Sequence, residues 1–290
     1  MMEDENEALV IDIGTGHLKA GFCFEDAPKH MIPMVLGKPK NAGVLVGMDQ
    51  KDWYIGDEAV EKAQHLILRH PVEKGRIKDS EAIEDIHNIL ENLFTHDMLI
   101  SAEEYKFMVT EPPNSPREIR DEFVTLMFEE MKVPALYMGN QAVMSLFATG
   151  RTTGTVLDAG EGVTHTVPIY EGYAMPHFIT EIPICGRDLT NYMVQLLNRE
   201  YPEYVSIDTQ EKREEAFDVA LKIKHQHGQV APDFDAELKT STDGSMPPKK
   251  YKLPGSQTIT VNKQSLECPE ILFNPSLWRE QMDEGQDGIH

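Results

Sequence analysis

One five-residue pattern, Asp-x-Gly-x-Gly, occurs twice in the chain and constrains the fold more than any other feature. The two copies occupy residues 12–16 and 158–162, and each directly follows a short apolar run of the kind that forms a buried strand. Glycine is the usual residue in any tight turn, so one copy would indicate no more than a β-hairpin. Two copies, one in each half of the chain, predict two repeated halves that each begin with a strand, a glycine turn and a second strand.

The two turns have the composition of a phosphate-binding site. Because glycine has no side chain, successive backbone amides can approach a phosphate closely and donate hydrogen bonds to its oxygens. We therefore expect the two hairpins to hold one polyphosphate. Asp12 and Asp158, at the strand ends, are expected to face one cation, usually Mg²⁺, which binds few carboxylates and keeps several waters. Lys19 follows the first hairpin, and its place in the sequence is consistent with two interpretations: a phosphate contact or a solvated surface residue.

Apolar periodicity predicts strands that alternate with helices, and therefore an α/β fold. Strands are expected near residues 8–11, 20–24, 107–109, 135–138 and 155–157, and in a run that ends at 169. Helices are expected over the apolar positions 83–94 with Ser80 as cap, from Ser115 with a capping box formed by Glu118, over 187–200 and over 210–224. Residues 33–71 lack helical periodicity and indicate a mobile insertion, and residues 243–248 read as a polar loop between short strands.

Length and charge exclude some classes of function. The chain has 290 residues, which exceeds most single compact domains and predicts two lobes. Its formal net charge is −22, a sign that repels nucleic-acid phosphates and anionic lipid head groups. We therefore expect no direct nucleic-acid binding, and a phosphate ligand needs a local site of amides, a lysine and a metal ion.

The cysteines and the first residues bear on the compartment. Cys23, Cys185 and Cys268 are odd in number, widely spaced and without a metal-ligand pattern, which favours a reducing compartment. Residues 3–7 include four acidic side chains where a secretory signal carries basic residues, and no segment is apolar enough to span a bilayer. We therefore expect a protein of the cytoplasm or nucleus that does not insert into membranes.

Beyond the two hairpins, the sequence resembles the actin family along nearly its whole length. The similar stretches are residues 44–51, Gly56-Asp57-Glu58-Ala59, the near-continuous run 141–173 and Gly186-Arg187-Asp188-Leu189-Thr190. The resemblance implies a two-lobed, actin-like ATPase fold with ribonuclease-H-like repeats and magnesium ATP in the cleft. It implies a first lobe at 1–148 with a small subdomain inserted at about 34–70, and a second lobe at 149–290 with a subdomain inserted at about 185–280.

The resemblance also implies a role for each site residue. Asp12 and Asp158 hold magnesium, largely through water. The contacts to ATP fall on Gly14, Thr15, Gly16, Lys19, Gly160, Glu161, Gly162, Asp188 and Lys224, of which Asp188 and Lys224 sit near the nucleoside. Gln141, His165 and Asp158 form the catalytic set, in which Gln141 and His165 orient the attacking water, since phosphoryl transfer needs positioning more than a strong base. From the residues alone, Gln141 as the stabiliser of a helix start and His165 as a half-buried strand residue remain alternatives.

Several positions depart from the actin pattern. Ile13 stands where actins have asparagine, Ala159 where they have a phosphate-contacting serine, and Glu161 where they have aspartate; His225 replaces a ribose-binding glutamate, and Lys74 a modified histidine. The missing hydroxyl at Ala159 removes a phosphate contact, and the longer Glu161 crowds the site or shifts its water. The affinity for nucleotide and its turnover are therefore left open.

Two hypotheses of function follow. The first is an actin-like ATP-binding cytoskeletal protein, a subunit of filaments or of an actin-containing complex. It would be an actin-type hydrolase that slowly converts ATP to ADP and phosphate if the nucleotide site is complete. The alternative is a non-catalytic actin-related scaffold that works through partner binding, favoured by Ala159, Glu161 and His225. The implied partners are other actin subunits or actin-binding proteins in the cytoplasm and cytoskeleton, or in the nucleus. A small-molecule kinase would need an acceptor-activating carboxylate in a second pocket, which no segment offers.

Two further expectations concern a loop and the chain's end. Residues 41–52 resemble the loop by which one actin subunit contacts the next, and an ordinary flexible loop is the alternative. At His290 actins continue into a glycine-rich adenosine-binding turn, so we expect a fragment that lacks the C-terminal part of the fold. A naturally short relative with uncovered sheet edges, and a need for a partner, is the alternative.

Overall fold

The computed structural model describes residues 8–40, 51–254 and 256–278, apart from the side chains of residues 210 and 211. The chain divides after Pro183 into two units, called here the first unit and the second unit. The predicted lobe boundary at residue 148 and the two predicted subdomain insertions stay predictions. The predicted intersubunit loop at 41–52 falls largely on residues 41–50, which lie outside the described residues.

The first unit alternates strands and helices. Its strands are β1 (Ala8–Ile13), β2 (His17–Phe22), β3 (His30–Pro33), β4 (Leu36–Pro39), β5 (Tyr54–Ile55), β6 (Leu66–Arg69), β7 (Val72–Glu73), β8 (Arg76–Ile77), β9 (Lys106–Glu111), β10 (Leu136–Asn140), β11 (Gly154–Ala159), β12 (Thr164–Tyr170), β13 (Tyr173–Ala174) and β14 (Thr180–Ile182). Its helices are α1 (Asp57–Glu61), α2 (Ser80–Asn92), α3 (Arg117–Thr125) and α4 (Gln141–Ala148). The π-helical turns Leu93–Met98 and Leu126–Glu130 extend α2 and α3.

The first sheet has the strand order β10-β9-β1-β2-β3. The pair β1 and β2 is antiparallel, whereas β9 lies parallel to β1 and β10 parallel to β9. Alternation in β1 buries Leu9, Ile11 and Ile13, which pack in one core with the apolar faces of α2 and α3. The ladder continues to Ile13, so Asp12 lies inside β1 rather than after it.

The second sheet begins with the second copy of the repeat. β11 and β12 are antiparallel, and β12 also pairs with β13 and β14. The α4 residues Ala142, Val143 and Leu146 pack on one face, against Val167 and Ile169 of β12. The other face of β11 is exposed, and Leu157 has 64% of its side-chain surface accessible.

The described residues between 33 and 71 contain more regular structure than predicted. β4 pairs with β5 and β6 in a separate sheet, and a small core of Val35, Tyr54, Ala59 and Leu66 packs beside it. The helix α1 follows Gly56, whose positive φ of 59° is a conformation that glycine adopts readily.

The second unit is mainly helical. Its elements are α5 (Gly186–Glu200), α6 (Gln210–His227), α7 (Phe234–Thr242), β15 (Lys250–Lys252), β16 (Thr258–Thr260) and α8 (Asn262–Glu270). Its core includes Met193, Leu196 and Leu197 of α5 together with Ala220 and Ile223 of α6. The loop at 243–248 follows α7 rather than a strand, so that part of the prediction is wrong.

Two predicted helix caps are also wrong. The cap of α2 is Asp79, whose carboxylate accepts from the Ala82 N–H at 2.9 Å, one residue before the predicted Ser80. No side-chain cap holds the start of α3, because that helix begins after Pro116 and Ser115 lies outside it. None of the helices in the described ranges is long and apolar enough to cross a membrane.

Candidate functional site

The two hairpins close with the same turn. The Gly14 N–H donates to the His17 carbonyl oxygen at 3.1 Å, and the Gly160 N–H donates to the Val163 carbonyl oxygen at 2.9 Å. A Cβ atom on Gly14 would lie 2.9 Å from the first oxygen, and one on Gly160 would lie 3.2 Å from the second. The third position of the repeated pattern therefore favours glycine in both turns.

The tips of the two hairpins pack against each other reciprocally. A Cβ atom on Gly162 would lie 2.4 to 2.7 Å from side-chain atoms of Thr15, and one on Gly16 would lie 3.2 Å from Glu161 Cγ. Thr15 and Glu161 hold the same position in the repeated pattern, as do Gly16 and Gly162. Each hairpin thus seats its fourth residue on the last glycine of the other.

Three donors surround the carboxylate of Asp12. Thr110 Oγ1 donates to Oδ1 at 2.5 Å, Gln141 Nε2 donates to the same oxygen at 3.2 Å, and Lys19 Nζ lies 3.2 Å from Oδ2. Lys19 is the cross-strand neighbour of Asp12 in the ladder of β1 and β2. Its side chain is 45% exposed, so its ammonium group is accessible from solvent while it pairs with Asp12.

Gln141 reaches Asp12 from the start of α4. The cap of that helix is Asn140, whose Oδ1 accepts from the N–H groups of Ala142 and Val143. Gln141 therefore does not cap α4 with its side chain. Its amide nitrogen donates instead to Asp12 and, at 3.3 Å, to the Ile13 carbonyl oxygen.

Asp158 and His165 face each other across β11 and β12. They are paired in the ladder, and His165 Nε2 lies 3.8 Å from Asp158 Oδ2. His165 is 2% exposed rather than half buried, and its Nε2 has no hydrogen-bond partner among the described residues. A buried polar atom without a partner is costly, and 3.8 Å is too long for a direct hydrogen bond between the two side chains.

The turn between β7 and β8 contacts both hairpins. The Gly75 N–H donates to Thr15 Oγ1 at 2.9 Å, and a Cβ atom on Gly75 would lie 2.6 Å from Val163 Cγ1. Lys74 and Gly75 have φ values of 48° and 73°, which a tight turn of this kind requires. Thr15 is therefore held from two sides, by the Gly75 amide and by the surface of Gly162.

The described contacts gather two glycine hairpins, a lysine, a glutamine and a histidine at the ends of β1 and β11. A family model described as Actin matches residues 3–289. The chain belongs to the actin family. The predicted family and the predicted actin-like α/β fold are confirmed. Members of the actin family generally bind a nucleotide and a divalent metal ion, and membership indicates contact with other actin-like subunits or actin-binding proteins.

The donor set of the first unit fits the ligands that actin-family members bind. Asp12 and Asp158 offer two carboxylates, Lys19 offers a cation, and the hairpins offer glycine turns. Mg²⁺ is typically held by one or two carboxylates together with waters and phosphate oxygens. In the part of the chain that the structure describes, no group of three or more His, Cys, Asp or Glu side chains is placed to hold a metal ion. The buried His165 Nε2, which has no partner among the described residues, adds a polar atom whose hydrogen bond is unmade.

Asp188 of α5 and Lys224 of α6 lie in the second unit, and both contact residues at the start of α5. Asp188 Oδ2 accepts from the Cys185 N–H at 2.9 Å and from Cys185 Sγ at 3.0 Å, and Lys224 Nζ donates to the Gly186 carbonyl at 2.8 Å. Burial, followed by the Asp188 carboxylate, raises the pKa of the Cys185 thiol to about 11. Both residues thus help to hold the start of α5, and their actin-type nucleoside contacts stay predictions.

The sequence pattern did not indicate Thr110 as a neighbour of Asp12. The available signal was topology, because the carboxyl ends of adjacent parallel strands meet at one sheet edge, and β9 is parallel to β1. The next residue, Glu111, is mostly buried, and burial raises the pKa of its carboxyl while Arg120, 3.1 Å away, opposes that shift.

Proposed function

We propose that the chain is an actin-like ATP-binding cytoskeletal protein, a subunit of filaments or of an actin-containing complex, that slowly hydrolyses ATP to ADP and phosphate. The observation that supports this most directly is the reciprocal packing of Thr15 on Gly162 and of Glu161 on Gly16. Two phosphate-binding turns that meet at their tips suit one polyphosphate better than two separate ligands. The proposed setting is the cytoplasm and cytoskeleton, or the nucleus.

In this proposal the first unit holds the phosphates and their metal. The glycine turns and Thr15 bind phosphate oxygens, and Lys19 contributes a positive charge beside Asp12. Asp12 and Asp158 hold Mg²⁺, largely through water molecules. When bound, Mg²⁺ would neutralise negative charge on the phosphate oxygens. The nucleoside contacts of Asp188 and Lys224 stay predictions from the family resemblance.

Gln141 and His165 are proposed to orient the attacking water. Gln141 Nε2 already donates to Asp12 and Ile13, so we assign the water contact to its amide oxygen. His165 Nε2 is buried, has no partner among the described residues and lies 3.8 Å from Asp158. Neither side chain is a strong base, and a slow hydrolysis that depends on positioning needs none.

A non-catalytic actin-related scaffold is the second candidate, and the second hairpin favours it. Ala159 has no hydroxyl to contact a phosphate. Glu161 is one methylene longer than aspartate, and its Cγ packs closely on Gly16, since a Cβ atom built there would lie 3.2 Å from it. In a scaffold these changes carry no penalty, because partner binding does not use the hairpins.

Nucleotide binding and phosphate release separate the two candidates. The full chain would be titrated with a fluorescent ATP analogue in MgCl₂ and in EDTA, and phosphate release would be measured with ATP. We expect Mg²⁺-dependent binding that Asp158→Ala weakens, and we expect Gln141→Ala to keep binding but release phosphate about tenfold more slowly. Asp121→Ala is the matched control, because Asp121 is 70% exposed on α3.

The outcomes point in different directions. A chain that binds no nucleotide would refute the proposed function. Nucleotide binding without phosphate release, together with partner association that Asp158→Ala leaves unchanged, would favour the scaffold. Phosphate release that is equal in the unmodified chain and in Gln141→Ala would remove Gln141 from its proposed role.

A further inference from the structure

The three donors around Asp12 differ in how firmly they are held. Lys19 reaches Oδ2 through a flexible, half-exposed side chain. Gln141 Nε2 divides its hydrogen bonds among Asp12, the Ile13 carbonyl and Thr110 Oγ1, at 3.2 to 3.4 Å. Thr110 donates to Oδ1 at 2.5 Å, the shortest of these contacts.

The position of Thr110 is fixed by the first sheet. In the parallel ladder Thr110 is the register partner of Asp12, and β9 lies between β10 and β1. Its side chain is nearly buried, with 9% of the residue exposed. A β-branched side chain has few χ1 rotamers, so the hydroxyl is presented to Asp12 without a large loss of conformational freedom.

We propose that Thr110 is a positioning residue, whose hydroxyl fixes the rotation of the Asp12 carboxylate so that Asp12 can serve a divalent metal ion. The inference rests on the proposed function, in which Lys19 also contacts phosphate and Gln141 also contacts water. Lys19 and Gln141 therefore each serve the ligand as well as Asp12. The Thr110 hydroxyl serves Asp12 alone in this proposal, and it holds Oδ1 towards β9 with nucleotide present or absent. Loss of a partner that orients a metal-binding side chain commonly lowers metal affinity by about 10- to 100-fold.

A purely structural role for the hydroxyl makes a different prediction. If Thr110 only satisfied hydrogen bonds within the sheet, its loss would lower stability and would weaken nucleotide binding equally with and without metal. A positioning role confines the loss to the part of binding that depends on metal. Serine retains the hydroxyl, whereas valine has nearly the shape of threonine without it, so the pair Thr110→Ser and Thr110→Val isolates the hydroxyl.

The test uses the full chain and a fluorescent ATP analogue. MgCl₂ is titrated at a fixed analogue concentration, the analogue is titrated in EDTA, and thermal unfolding is recorded for each variant. Thr110→Val is expected to raise the half-saturating Mg²⁺ concentration about tenfold, equivalent to ~1.4 kcal/mol, with binding in EDTA unchanged. Thr110→Ser is expected to behave as the unmodified chain. Thr125→Val is the control, because that hydroxyl donates to the Asp121 carbonyl on α3.

Each result decides between the roles. Equal Mg²⁺ dependence in Thr110→Val and the unmodified chain would overturn the inference and leave the proposed function standing. An equal loss of binding in MgCl₂ and EDTA, or failure of both Thr110→Val and Thr110→Ala to fold, would assign the hydroxyl a structural role and also overturn it. Absence of nucleotide binding by the unmodified chain would refute the proposed function and the inference together.

Discussion

Thr15 is held at the hairpin tips by two independent contacts. Its Oγ1 accepts from the Gly75 N–H at 2.9 Å, and its side chain packs directly on Gly162. Rotation of Thr15 away from Gly162 would therefore break the hydrogen bond to the β7–β8 turn. The equivalent side chain, Glu161, approaches Gly16 less closely, because a Cβ atom on Gly16 would lie 3.2 to 3.3 Å from its Cγ and Cβ.

This difference predicts unequal effects of alanine at the two last glycines. In Gly162→Ala the new Cβ would lie 2.4 to 2.7 Å from Thr15, so Thr15 or the hairpin has to shift. We expect the free energy of unfolding to fall by about 1–3 kcal/mol, the usual cost of overpacking. Urea denaturation followed by tryptophan fluorescence would measure it.

Gly16→Ala is the matched control, because its Cβ would meet only the Glu161 stem at 3.2 to 3.3 Å. We expect it to cost less than Gly162→Ala. In the double variant Thr15→Gly with Gly162→Ala, the penalty of the added methyl group should largely disappear. Equal costs for the two single variants would contradict the reciprocal packing of the tips.

At the scale of residues, the sequence predicted which residue types form the turns better than it predicted which side chains touch. The glycines of the repeat could be assigned to turns because a missing side chain has a direct steric consequence. The approach of Thr15 to Gly162 could not be predicted, because it depends on how two distant hairpins are brought together. The same is true of Thr110, which reaches Asp12 only through the pairing of β1 with β9.

At the scale of elements, the start of α2 shows how local chemistry fixes a boundary. Asp79 has extended backbone dihedrals, and its side chain accepts from the Ala82 N–H, whereas Ser80 is already the first residue of the helix. Capping requires both the extended backbone and an acceptor side chain, and here only Asp79 combines them.

The cap predicts a one-residue contrast in stability. Asp79→Ala should lower the free energy of unfolding by about 1 kcal/mol, because the first turn of α2 loses a hydrogen bond to its N–H groups and a favourable charge at its N-terminus. Ser80→Ala should have little effect. Urea denaturation of both variants would measure the contrast. A larger loss of unfolding free energy for Ser80→Ala than for Asp79→Ala would support Ser80 as the cap.

The helices α2, α5 and α7 show how far an apolar stripe predicts an element. α2 and α5 bury one face at helical spacing, so their existence follows from periodicity. α7 buries none of its residues and shows no such stripe, so periodicity does not predict it; its cap is Asp233, whose side chain accepts from the Ala236 N–H. Boundaries depend on caps and on pairing with neighbours, which periodicity does not record.

At the scale of the whole molecule, the repeat predicts related strands but not related surroundings. β1 and β11 both lead into a glycine turn and both pair with the following strand in antiparallel orientation. In β1 the alternate residues Leu9, Ile11 and Ile13 are buried, whereas the equivalent face of β11 is exposed. The sequence of a strand sets which residues share a face, but the elements packed on that face set its burial.

Ile11 and Leu157 occupy the same position in the two repeats, immediately before the aspartate. Ile11 is fully buried in the first core, and Leu157 is 64% exposed. Truncation of Ile11 would leave a cavity and lose buried apolar contacts, whereas truncation of Leu157 removes a side chain that solvent already surrounds. We expect Ile11→Ala to cost about 2–5 kcal/mol, and Leu157→Ala to cost less than about 0.5 kcal/mol.

Urea denaturation would compare the two variants through Trp53, whose ring packs against the first core. The second tryptophan, Trp278, lies in the second unit, and a Trp278→Phe background would remove its fluorescence from the measurement. A cost for Leu157→Ala as large as that for Ile11→Ala would contradict the exposed face of β11. It would mean that this face is buried in solution, so that both halves of the repeat contribute an apolar sheet face to stability.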